Sequence, residues 1–72
     1  MIDKEMQALI EKELRLTEQE IVFIRERYDV STKEALFGAI RAGSVSEHPA
    51  WEDYIVWKNK DARIVQLQQL VS

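Results

Sequence analysis

Leu16-Thr17-Glu18-Gln19-Glu20-Ile21 is the stretch that governs how this 72-residue chain divides into helices. Thr17 can cap the backbone N–H of Glu20, the Glu20 carboxylate can reach back to the Thr17 N–H, and Leu16 and Ile21 stand where a hydrophobic staple needs them. Such a capping box predicts a break, with one helix ending before Thr17 and another starting at Glu18. Upstream, Ile2, Met6, Leu9, Ile10 and Leu14 recur at spacings of three and four, which predicts a first helix from about Asp3 to Arg15. Downstream, the second helix should run to about Tyr28 and bury Ile21, Ile24 and Tyr28.

The device recurs in Ser31-Thr32-Lys33-Glu34, so a third helix should start near Thr32, bury Leu36, Ala39 and Ile40, and stop at Gly43. Gly38 lies within it at a cost of up to about 1 kcal/mol relative to alanine, and is expected to mark the close approach of a neighbouring helix. Residues 44–48 form a linker in which Ser46 or His48 caps the last helix, with Pro49 in its first turn. Glu52 and Asp53 early, then Lys58, Lys60 and Arg63 later, suit the helix dipole. The fourth and longest helix should extend from about Pro49 to Leu70. The expected fold is therefore all-α: one domain over residues 1–72, a compact bundle of four helices with a helix-turn-helix at its centre.

A core of this size rarely supplies more than roughly 3–5 kcal/mol unless it is stapled. The chain has no cysteine and one histidine, His48, so disulfides, thiolate metal sites and a His-based zinc site are not expected. No cofactor is implied. Glu11/Glu13 and Glu18/Glu20 are spaced by two and point in different directions on a helix, and no Gly-rich phosphate loop is present. The chain reads as a non-enzyme. Its N-terminus lacks the apolar stretch of a signal peptide and no apolar run approaches membrane-spanning length, which points to a cytoplasmic protein without a membrane partner.

On a helical wheel the last helix has two apolar sides. Trp51, Tyr54, Ile55, Ala62 and Val65 share one sector and read as its core face. Val56, Trp57, Ile64, Leu67, Leu70 and Val71 share another, with Trp57, Ile64 and Val71 seven apart in the manner of a coiled-coil seam. The polar Asp53 and Lys60 interrupt that seam. Two readings follow. The second stripe is an interface, anchored by Trp57, for another protein or a second copy of the chain, or the first helix folds back over Trp57 and Ile64. The first reading makes the chain a small regulatory protein acting by protein–protein interaction, and no small-molecule substrate is implied.

Net charge is −3, but residues 21–43 are slightly basic through Arg25, Arg27, Lys33 and Arg41. Here the three-residue turn Asp29-Val30-Ser31 between two helices has helix-turn-helix spacing, with Thr32, Lys33, Phe37 and Arg41 as candidate DNA contacts. The segment Val30…Ala35-Leu36…Ala39-Ile40-Arg41-Ala42-Gly43 resembles the recognition region of lambda Cro and similar small phage regulators. It departs from that pattern with Arg25 at a normally small position and Asp29 in place of the turn glycine. The resemblance implies a transcription regulator, or a relative that has kept protein contacts without DNA. DNA is thus the second candidate partner.

Overall fold

In a computed structural model, which describes residues 3–71, three α-helices follow one another: α1 (Lys4–Tyr28), α2 (Lys33–Arg41) and α3 (Glu47–Val71). The chain is all-helical, as its periodicity predicts, but it is not a four-helix bundle. The expected break at Thr17 does not occur. Thr17 is buried in mid-helix, and its hydroxyl donates to the Glu13 carbonyl at 2.8 Å. A threonine that bonds back one turn satisfies its own hydroxyl and has no need to act as a cap. No glycine or proline interrupts residues 4–28, so the predicted first and second helices are one. Ile2, placed on the first apolar face, lies outside the described residues.

The helix ends expected near Tyr28 and Gly43 and the start near Thr32 hold. Asp3 caps α1 by accepting the Met6 N–H at 2.7 Å. Thr32 caps α2 by accepting the Ala35 N–H at 3.0 Å. Asp29 closes α1 in the left-handed region, with φ 52°, where its short polar side chain is tolerated. Gly43, with φ 76°, follows α2, and the bonds Gly43 N–H to Ile40 C=O and Ser44 N–H to Ala39 C=O complete a Schellman motif. Ser46 instead donates its hydroxyl to the His48 carbonyl. α3 is bent at His48, whose backbone is non-helical, and the peptide bond from His48 to Pro49 is cis. With 25 residues each, α1 and α3 are equally long. Gly38 differs from expectation: a Cβ there would meet nothing within 4 Å, so no helix approaches it closely.

α1 and α3 lie antiparallel. Ile10, Leu14, Thr17, Ile21, Ile24 and Tyr28 on α1 alternate spacings of three and four, and none is fully exposed. On α3 the matching series is Ala50, Asp53, Trp57, Lys60, Ile64, Leu67 and Val71. These are the seam positions of a two-helix coiled coil. Its polar members are both partnered across the seam. Asp53 accepts from Arg27 at 2.8 Å and from the Tyr28 hydroxyl at 2.5 Å, and Lys60 pairs with Glu20. Burial pushes the Tyr28 phenol upward, and its bond to Asp53 adds to the rise.

α2 covers only one end of this hairpin. Its Leu36 is fully buried and joins Ile21, Ile24, Ala50 and Trp57 in the main core, with Tyr28, Val30, Ile40 and Ile64 around it. Lys33 ties α2 to α3 through Asp61 at 2.7 Å. The other end has two helices only, with Ile10 and Leu67 buried between them. The result is a rod of 48 × 17 × 16 Å with a radius of gyration of 14.6 Å, against about 11 Å for a compact globule of this length. The expected compactness is lost because one uninterrupted 25-residue helix already spans about 37 Å.

Candidate interaction face

Each long helix has two apolar sides, and the seam uses one of each. The structure exchanges the roles predicted for the sides of α3. Trp57, expected to anchor an exposed interface, is 2% exposed, and Leu67 is also buried. Ile64 and Val71 are half-buried beside them. Trp57 is enclosed because α1 folds back over it, with the Arg25 guanidinium 5.5 Å from the indole centroid. Arg25 thereby stabilises the ring as a cation over a π-face. Of the predicted interface, Val56 and Leu70 remain exposed. Conversely Trp51, Ile55 and Val65, expected in the core, are exposed to solvent.

A further uncovered apolar surface was not anticipated, and it lies mainly on α1. Leu9, Leu16 and Phe23 are 68%, 50% and 57% exposed. Spaced by seven, they form a second stripe beside the seam. Met6, Leu9 and Leu16 line a groove of about 640 Å³ with Lys12 and Glu13 from α1 and Arg63, Leu67 and Leu70 from α3. The seven-residue recurrence was visible in the sequence, but the expected break at Thr17 divided Leu9 from Leu16 and Phe23. An uncovered stripe of this kind on so small a chain is a surface that association would bury.

The candidate DNA contacts are dispersed in their tasks. Thr32 is the cap of α2, and Lys33 is held by Asp61 and, at 3.7 Å, Glu34. The Lys33 ammonium is raised above the ordinary lysine range chiefly by its hydrogen bond to Asp61. Phe37 lies in an aromatic cluster with Trp51 and Tyr54, at centroid distances of 6.2 and 5.4 Å. Arg41 is exposed, with its guanidinium 5.9 Å from the Phe37 ring. A cleft of about 370 Å³ adjoins this cluster, lined by Phe37, Ile40, Arg41, Glu47, His48 and Trp51. His48 Nδ1 is 2.7 Å from Glu52 Oε1 at its edge, and this contact lowers the Glu52 carboxyl below its ordinary value.

Among the described residues, no group of three or more acidic or imidazole side chains is arranged to hold a metal ion. No helix among them is long and apolar enough to cross a membrane. No curated protein and no solved structure matches the chain. One family does, along residues 1–72, and the chain therefore belongs to the Uncharacterized protein MJ0235 family.

Proposed function

We propose that this chain is a small, non-enzymatic regulatory protein of the cytoplasm that acts by protein–protein interaction, through the face where α1 and α3 leave apolar side chains uncovered. The observation that carries the reading is the stripe Leu9, Leu16 and Phe23, each half or more exposed at seven-residue spacing. Val56 and Leu70 of α3 extend it, while Trp57, the anchor expected from the sequence, serves the core. Large apolar side chains in a helix face supply most of the free energy when such a face is buried against a partner. The test is affinity capture from the native host with the unaltered chain and with Leu16→Glu. A partner held by the former and released by the latter supports the reading. Identical captures with both chains would remove it.

A DNA-reading alternative rests on the short connection between α1 and α2, with Thr32, Lys33, Phe37 and Arg41 facing the major groove. It ranks second because Lys33 and Phe37 are already engaged within the chain. DNA retardation that weakens steeply with salt and disappears in Arg41→Ala would reverse the order.

A further inference from the structure

We infer that the face carrying Leu9, Leu16 and Phe23 is covered by a second copy of this chain, and that the two rods form a four-helix bundle about a two-fold axis parallel to their length. The inference deepens the interaction reading above and rests on it. Register favours a second copy. Stepping by sevens, Leu9, Leu16 and Phe23 on α1 are answered by Leu70, Arg63 and Val56 on α3, within one residue of the antiparallel register of the ion pairs Glu20–Lys60 and Arg27–Asp53. The open face is therefore built in levels, each with one residue from either helix. A two-fold axis along the rod preserves height, so α1 of one copy lies over α3 of the other and the levels coincide: Leu9 over Leu70, Phe23 over Val56. Each apolar level then holds four aliphatic or aromatic side chains, as the layers of a four-helix bundle do.

Area agrees. A partner covering one whole side of a rod 48 Å long and 17 Å wide would bury roughly 800 Å², polar and apolar together, which is what each partner brings to a stable interface of standard size. So does charge. The middle level places Arg63 beside Leu16, and Glu13 lines the same groove one turn away. With the acidic member on α1 and the basic one on α3, this axis sets Glu13 against Arg63 of the second copy, twice by symmetry. An axis across the rod would stack α1 on α1 about Leu16 and bring Glu13 toward Glu20, a like charge. About Leu16, the middle of the stripe, the axis along the rod is the one of the two that gives Glu13 an opposite charge in the second copy.

Sedimentation velocity across a concentration series tests this, with helicity by circular dichroism as the control for folding. The unaltered chain should be a dimer, and Leu16→Glu a helical monomer. Glu13→Arg and Arg63→Glu should each weaken self-association by about tenfold or more, since each sets like charges against one another twice across the two-fold axis. Mixed together they should form a heterodimer. Every pair across the axis then joins opposite charges, the introduced arginine meeting the introduced glutamate and the native Arg63 meeting the native Glu13. An unaltered chain that stays monomeric, or charge variants that fail to recover on mixing, would overturn the inference. If the monomer nonetheless captured a host protein that Leu16→Glu released, only the second copy would be wrong. If it captured none, the interaction reading would fall with it.

Discussion

The two apolar stripes of α1 have nearly the same composition and opposite fates. Ile10, Thr17 and Ile24 are buried, while Leu9, Leu16 and Phe23, one position removed, face solvent. Hydrophobicity does not separate them. What separates them is α3, whose Trp57, Ile64 and Leu67 face the inner stripe, with Lys60 and Asp53 placed to meet Glu20, Arg27 and Tyr28, whereas Val56, Arg63 and Leu70 stand level with the outer stripe without covering it. The stripe that becomes core is the one with a mate in both shape and charge. The comparison teaches that a helix with two greasy sides is resolved by its neighbour's pattern, which no wheel drawn on a single helix contains.

The largest effect should come from cutting the inner side. Trp57→Ala should cost about 3–5 kcal/mol, most or all of what so small a core supplies, and a thermal melt by circular dichroism should show little folded protein. The comparison would fail if Trp57→Ala melted like the parent while Phe23→Ala, measured at dilution, lost as much.

A smaller loss is expected at the polar step of the seam. Asp53→Ala leaves the Tyr28 hydroxyl and Arg27 without their acceptor, and should cost roughly 1–3 kcal/mol in urea unfolding. Alkaline pH acts on the same contact. Because the Tyr28 phenol is raised in the fold, its share of stability is complete below the ordinary tyrosine range and is lost as pH climbs through the raised value. Tyr28→Phe should flatten that part of a pH–stability curve. Equal alkaline sensitivity in both chains would show that the contact contributes nothing.

The smallest effect should be a gain. Gly38 has open space where a Cβ would stand, so Gly38→Ala should raise stability by up to about 1 kcal/mol through helix propensity alone. A lowered melting temperature would mean that something does approach that site.

These contrasts show which parts of the molecule were legible in advance. Turn chemistry is local, so the stops at Asp29 and Gly43 and the start at Thr32 could be read from neighbouring residues. At Thr17 the local rule misled, since Thr-x-x-Glu is compatible with a cap and equally with a buried seam position. The unbroken series from Ile10 to Tyr28, with Thr17 as a polar member, fits the seam. The face was harder. Asp53 and Lys60 looked like flaws in a stripe because their partners lie more than twenty residues away, and short preceding helices seemed able to cover one side of the last helix only, which left Trp57 exposed and Ile55 and Val65 buried in the expectation. Of the two readings open in the sequence, a helix folding back over Trp57 comes nearer, but the covering residues Ile21, Ile24 and Arg25 come from the stretch expected to be the second helix, not the first.

The alternating signs of Asp53 and Lys60 also act as a ratchet against slippage. Sliding α3 along α1 by one heptad in one direction would bring Lys60 to Arg27, and in the other direction Asp53 to Glu20. Apolar seam residues alone would tolerate either displacement with modest loss, whereas each now sets like charges against one another in a half-buried site. The two ionic rungs therefore exclude the nearest wrong alignments as well as fastening the right one.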